Sequence, residues 1–344
     1  MNSYDVIVIG GGPAGLYSAF YSGLRNMKTK LIESQPFLGG KLNLYPEKMI
    51  WDAGGQPPIL CQDFKQQIIQ QGLTFEPTIL LNTKVDFIDQ VGDIFCITTN
   101  DGEVHFSKSV IMAVGGGIIT PQKLPLADAE KFEVTNLHYT VKNLSRFKDQ
   151  RILISGGGNS AIDWAVDLLP LAKEMTLIYR GDTMKAHEAQ VEKLKKAGVR
   201  FCYETTISSL HPDAASSRIE KVRLSNEEII EVDHVLIHHG YNQDASLSFA
   251  GQCSPTLVHN YYYEADTAGK TSVPGIFAAG DIASYDGKVN LILGAFQDAV
   301  NAVNSAKQWI DPQSEKHAMV SSHNDRFDEK NKQIIAGMLG MEKV

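Results

Sequence analysis

Cysteine is scarce in this chain: 344 residues hold only Cys61, Cys96, Cys202 and Cys253. Their separations of 35, 106 and 51 positions fit neither a disulfide framework nor a zinc site. No two cysteines stand three apart, which excludes C-x-x-C dithiol chemistry on composition alone. Cys96 lies in the strand-like run "IFCITT" and reads as a buried, inert thiol. Long apolar runs are also absent. No stretch reaches bilayer length, and "MNSYDVIVIG" enters a strand without a basic start or a cleavage site, so the expected location is the cytoplasm. Basic charge is in the minority, 32 Lys and Arg against 40 Asp and Glu for a net charge of −8. Nucleic-acid binding needs a concentrated basic surface, and none is evident. With 43% apolar and 21% charged residues, the composition is that of a globular protein, and the length suggests two domains.

What is present, twice, is a glycine turn between a strand and a helix. "YDVIVIG" (4–10) reads as a buried parallel strand, a helix pattern runs through Leu24, and "TKLIES" (29–34) reads as the next strand. Within this unit Gly10, Gly12 and Gly15 supply a tight turn, close backbone approach to a pyrophosphate, and close helix-strand packing. Glu33 ends the second strand, where a carboxylate accepts ribose hydroxyls, so the unit suits an unphosphorylated ribose.

The second unit repeats the order: strand "RILIS" (151–155), then Gly156, Gly158 and Ala161, a helix to about Leu169, and strand "MTLIY" (175–179). Glu33 follows Gly15 by 18 residues; the same count from Ala161 reaches Tyr179, followed by Arg180. The acid is missing and a guanidinium stands beside the gap. A ribose 2′-phosphate is repelled by carboxylate and held by a fork of N–H donors, so this pocket should prefer NADP over NAD. Lys185 and His187 extend the basic patch. Two pockets of opposite ribose preference imply electron transfer between NADPH and a resident flavin dinucleotide. "TSVPGIFAAGD" (271–281) supports the flavin, because Asp281 at a strand end is placed to bond a ribitol hydroxyl beside a helix N-terminus.

Together "GGGPAG", "GGGNSA" and "TSVPGIFAAGD" resemble the low-molecular-weight thioredoxin-reductase-like flavoproteins over nearly the whole chain. The resemblance implies an α/β fold with two Rossmann-like FAD/NAD(P)-binding domains. The FAD domain would comprise 1–119 and 241–344, and an NADPH domain of 120–240 would be inserted between the glycine-rich crossings "AVGGGIITP" and "HHGYN". Thioredoxin reductases carry C-x-x-C just before the second glycine turn; "NLHYTVKNLSRFKDQRILIS" holds no cysteine. The chain is therefore similar to the ferredoxin (flavodoxin)–NADP reductases of thioredoxin-reductase type. "KLNLYPEKMIWDAGG", "NLHYTVKNL" and "YDGKVNLI" add to that likeness.

By resemblance, FAD would be held by Gly10, Gly12, Pro13, Ala14, Gly15, Glu33, Gly40, Lys41, Val85, Asp281 and Ser322. NADPH would be held by Gly156, Gly158, Asn159, Ser160, Ala161, Arg180 and Lys185. Tyr45 would lie on one flavin face and His323, from the C-terminal segment of a partner subunit, on the other, which implies a homodimer. Lys41 departs from the family, whose members carry a neutral amide there, and the chain is longer around His323. The implied activity is hydride transfer from nicotinamide C4 to flavin N5, then single-electron release to ferredoxin or flavodoxin. Other acceptors (oxygen, quinones, iron chelates) and a slow flavin redox sensor are the alternatives. A flavin-monooxygenase linker F-x-G-x-x-x-H is not met, since after Phe249 and Gly251 its His position holds Pro255. No metal is expected: His238–His239 reads as structural. "EKLKKAGVR" (192–200) reads as a solvated helix end that suits an acidic carrier.

Overall fold

The computed structural model describes residues 3–244 and 247–339. They fall into two compact units, one drawn from Met1–Asn43, Met49–Ile118 and Asp244–Val344, the other from Leu44–Lys48 and Ile119–Gln243. The sequence assigns residues 44–48 to the FAD stretch, whereas their contacts group them with the second unit. Thr140 Oγ1 donates to Leu44 O at 2.5 Å, Lys48 pairs with Asp167, and its ammonium lies 4.5 Å from the Trp164 ring centroid. These anchors all belong to the second unit, so the short segment packs there regardless of its place in the chain.

In the first unit, Val6–Ile9 is flanked by Thr29–Ile32 on one side and Val110–Met112 on the other. Thr78–Leu80 and Ile276–Ala278 complete a five-stranded parallel sheet. Val6, Ile7, Val8, Val110, Ile111 and Met112 are all fully buried, as expected of parallel strands covered on both faces. Helices Pro13–Leu24 and Ile292–Ile310 share a core with one face, through Ala14 and Ala19 on the first and Ala295, Ala302, Val303 and Ala306 on the second. Small side chains at these positions let the helix axes approach closely.

Over the other face, a second sheet runs in the order Ser3–Tyr4, Val104–Ser107, Ile94–Thr99, Val85–Val91, Ser248–Phe249. Cys96 sits on Ile94–Thr99 but is half-buried, because the two-residue period sends Phe95 and Ile97 into the core and Cys96 to the other side. Its thiol is raised above the usual value, by burial first, and is a poor nucleophile at neutral pH. All four cysteines are free thiols. Helix Asp328–Met338 buries no residue and leaves Ile334, Ile335 and Met338 exposed.

The second unit has its own parallel sheet, ordered Leu137–His138, His234–Ile237, Arg151–Ser155, Glu174–Ile178, Arg200–Cys202. Helix Asn159–Leu168 covers it through Ala161, Ile162, Trp164, Ala165 and Leu168. An antiparallel three-stranded sheet, Ile207–Pro212, Ile219–Leu224 and Ile229–Glu231, supplies Ile219, Val222 and Leu224 to the opposite core. The crossing strands Ile118–Pro121 and Tyr241–Asp244 pair as a two-stranded sheet. Among the described residues no helix is long and apolar enough to cross a membrane.

The base of this second sheet is fixed by a fork. Arg151 Nε and Nη2 each donate to Asp233 at 3.0 Å, and the Arg151 amide donates to the same carboxylate at 2.8 Å. Hydrogen bonding to Arg151 holds the Asp233 carboxyl down at about 2. A depressed carboxyl contributes stability above its unfolded value near 4, and that contribution is lost as pH falls through about 2. Asp233→Asn is therefore expected to lower the unfolding free energy by about 1–2 kcal/mol at neutral pH, after discounting for solvent. The gap from wild type should shrink below about pH 4 and nearly close by about pH 2, which denaturant melts across pH will measure.

Candidate nucleotide sites

Each unit places a glycine turn where its strand order reverses, the position at which open α/β sheets bind ligands. In the first unit Gly10 has φ +105°, and a Cβ on Gly15 would stand 1.8 Å from Gly10 O. Only glycine allows that helix to meet that strand. The helix opens at Gly12 with Pro13 in its first turn, no capping side chain and no acidic residue. Its leading N–H groups and positive dipole end are left for an anion. Glu33 is 7% exposed and locked: one oxygen accepts from the Gly11 amide at 2.6 Å, the other from the Gln35 amide at 2.8 Å and Ser34 Oγ at 3.1 Å.

Two further segments close around this turn. The Gly39 amide donates to Gly11 O at 2.8 Å, and a Cβ on Gly40 (φ +54°) would lie 2.8 Å from Gly12 Cα. From the far end of the chain, Gly280 (φ +79°) approaches so closely that its Cβ would lie 2.8 Å from the Ala14 methyl. Asp281 thereby arrives beside the helix start, where Lys41 Nζ donates to its carboxylate at 2.8 Å. The unfamiliar lysine thus meets the aspartate expected to hold ribitol. Val85 sits in the core with Ile9 and Ile32, two residues beyond Thr83, whose amide donates to Glu33 O at 3.0 Å. A cradle of glycines that any Cβ would fill, an uncapped helix and a fixed carboxylate fit the adenosine and pyrophosphate of FAD.

In the second unit Gly156 has φ +152°, and a Cβ there would stand 2.4 Å from His238 O. Gly158 starts the helix, again without a capping side chain or an acid in the first turn, and Ala161 is buried against the strand at 1% exposure. The chain after the strand Glu174–Ile178 folds back over the turn. The Lys185 amide donates to Gly157 O at 2.7 Å, Gly158 and Lys185 form a parallel bridge, and Asn159 Oδ1 accepts from the His187 amide at 3.1 Å. Tyr179 lies where a Cβ on Gly157 would meet its ring at 2.4 Å. Arg180 and Lys185 are exposed and join no ion pair among the described residues. Ser160 is half-buried in the first helical turn. His239 bonds Ser155 Oγ at 2.8 Å, and burial holds both His238 (at about 4) and His239 below the usual imidazole value, so both are neutral. These groups fit the pyrophosphate and 2′-phosphate of NADPH. Among the described residues no cluster of His, Cys, Asp and Glu is arranged to hold a metal ion.

Tyr45 groups with the second unit, where its ring packs against that core. Its hydroxyl bonds Tyr241, whose own phenol is raised by burial first. Ser322 and His323 are exposed on the short turn Ser321–His323 and bond each other at 3.1 Å.

One part of the first unit went unread in the sequence. Asp298, 3% exposed on the helix Ile292–Ile310, holds the Gly280 amide, Tyr285 Oη and Lys288 Nζ. A signal was available: Asp298 shares the helix face of Ala295, Ala299 and Ala302, and a carboxylate on a buried stripe requires partners.

The family model described as pyridine nucleotide-disulphide oxidoreductase matches residues 4–306. Among curated proteins, the chain is 58% identical over 337 residues to ferredoxin–NADP reductase 3 of Lysinibacillus sphaericus, covering 96% of this chain and 97% of that one. It is 53% identical to ferredoxin–NADP reductase 1 of Bacillus licheniformis, over 97% and 98% of the two chains. Among solved structures, Lactococcus lactis thioredoxin reductase in its FR conformation superposes with TM-score 0.65 at 25% identity, covering 89% of this chain and 99% of that one. T. acidophilum thioredoxin reductase gives 0.66 at 23% identity over 90% and 99%, a likeness of fold.

Proposed function

Since the chain belongs to the pyridine nucleotide-disulphide oxidoreductase family and, within it, to the ferredoxin–NADP reductases of thioredoxin-reductase-like type, we propose that it moves electrons between NADPH and ferredoxin or flavodoxin through FAD. The observation that carries this reading is the contrast between its two strand ends. Glu33 is held as a buried carboxylate beside Gly11, while Arg180 stands exposed beside Tyr179 and pairs with no carboxylate among the described residues. One pocket accepts ribose hydroxyls; the other accepts a phosphate.

When bound, FAD supplies the chemistry that converts a two-electron donor into single-electron transfers. The chain's residues hold and aim. The amides leading helix Pro13–Leu24 neutralise the FAD pyrophosphate, Glu33 fixes its adenosine ribose, and Asp281 its ribitol. The amides leading helix Asn159–Leu168 take the NADPH pyrophosphate, and Arg180 with Lys185 selects the 2′-phosphate. Tyr45 and, from a second copy of the chain, His323 with Ser322 are proposed to cover the flavin faces. The exposed apolar side of helix Asp328–Met338 supports a homodimer, and a reducing compartment such as the cytoplasm suits four free thiols.

Purified protein is expected to be yellow, to bleach within its first turnover on adding NADPH, and to recover its colour with ferredoxin or flavodoxin. NADH at the same concentration should be poorer by about 100-fold in kcat/KM, the worth of one charge-assisted phosphate clamp. Bleaching without recovery by either carrier, while quinone or oxygen restores the colour, would transfer the assignment to another acceptor.

A further inference from the structure

Behind the turn that presents Asp281 lies a buried ion pair. Asp298 Oδ2 accepts from Lys288 Nζ at 2.9 Å and from the Gly280 amide at 3.0 Å, while Oδ1 accepts from Tyr285 Oη at 2.5 Å. The lysine and aspartate side chains are 8% and 3% exposed. The turn carrying the lysine is tucked onto the helix: a Cβ on Gly294 would stand 2.1 Å from Val289 O, and Gly287 takes φ +80°. Lys288 also donates to Val289 O at 3.1 Å, and the Tyr285 phenol is raised above its usual value by burial and by the carboxylate.

Removing two charges from water is expensive, and replacing such a pair with apolar groups is often neutral or stabilising. Stability alone is therefore a weak reason for it. Its placement supplies another. Among the described residues, the one main-chain group hydrogen-bonded to the Asp298 carboxylate is the amide of Gly280, the residue before Asp281 and the one packed on Ala14 at the start of the dinucleotide helix. Gly280 has φ +79°, so the turn needs an external partner to hold its amide in a conformation with many neighbours.

We propose that Asp298, with Lys288 as its counter-charge, is a positioning residue for the flavin: it clamps Gly280, and so fixes Asp281 against the ribitol while keeping the electrical balance behind that turn. The inference rests on the first unit being the FAD site. Two effects follow from the two roles. Loss of the clamp weakens FAD binding. Loss of one charge shifts the flavin reduction potential with a sign set by the charge that remains, because a nearby negative charge disfavours adding electrons and a positive one favours it.

The test is FAD titration of the apoprotein together with redox titration of the holoprotein, for wild type, Asp298→Ala, Asp298→Asn and Lys288→Met. We expect the FAD Kd to rise about tenfold or more in Asp298→Ala, and to recover largely in Asp298→Asn, which keeps an oxygen for the Gly280 amide. The potential should move to more negative values in Lys288→Met and to more positive values in Asp298→Asn. A purely structural pair would not give opposite signs. If Asp298→Ala does not fold, the other two variants leave the clamp in place and decide the matter by their signs. Unchanged potentials, or shifts of the same sign, overturn the proposal. Wild-type protein that binds no FAD overturns the flavin reading itself, and a wild type that binds while every variant matches it overturns only the clamp.

Discussion

Arg180→Glu is expected to lower kcat/KM for NADPH by about 100-fold or more while leaving FAD content, and turnover with NADH, close to wild type. A charge-assisted hydrogen bond to phosphate is worth about 1.5–3 kcal/mol, and each 1.4 kcal/mol is about tenfold. Reversal removes that attraction and adds a repulsion between carboxylate and phosphate. The guanidinium is exposed and outside any ion pair among the described residues, so no partner in the fold is orphaned by its loss. The effect should be confined to KM for NADPH, and ionic strength should compress it, since the site is open to salt. Steady-state kinetics with both nucleotides, beside the flavin absorbance of the pure protein, will check it. Equal losses with NADH would move the 2′-phosphate elsewhere.

Gly15→Ala is expected to do the opposite: to yield protein with less than about a tenth of the wild-type flavin and a clearly lower Tm. The added Cβ would stand 1.8 Å from Gly10 O and 2.9 Å from Gly10 C, both backbone atoms of the neighbouring strand end. No rotamer relieves a clash with main chain, so the helix must leave the strand, at a cost of about 1–3 kcal/mol or more. The same movement spoils the aim of the amides at the helix start. Gly158→Ala is the internal control: apart from its own chain neighbours nothing described lies within 4 Å of its Cβ position, so the fold should survive and any effect should appear in KM for NADPH. Absorbance of the bound flavin and thermal melts separate the cases.

Much of the architecture was legible because it is local. The strand Arg151–Ser155 has the bounds its apolar run implied, and the helices Pro13–Leu24 and Asn159–Leu168 begin beside the glycines that permit them. The spacing argument that substituted Arg180 for an acid needed only a count along the chain, since strand and helix lengths fix where the next strand ends. Partners distant in sequence were not legible. Nothing in the vicinity of Lys41 announces Asp281, 240 positions away. Lys185 was read as a charge near the phosphate, whereas its backbone also bridges to Gly158, because a loop's return path is set by tertiary packing. For Asp298 the helix period marks a buried carboxylate but does not name the partners that hold it. The division of the chain into two bodies at its glycine crossings said nothing of residues 44–48, because local composition does not specify which core a five-residue segment joins.

That last segment has a practical consequence for anyone wishing to excise the nucleotide-binding piece. A fragment cut at the two crossings would leave behind the ammonium that shields Trp164 and answers Asp167, together with the carbonyl that Thr140 requires. The insert is not a self-sufficient cassette; it borrows a patch of its own skin from a stretch of polypeptide translated some seventy residues before the insert begins, and a transplant without that patch inherits a bare indole and a stranded carboxylate.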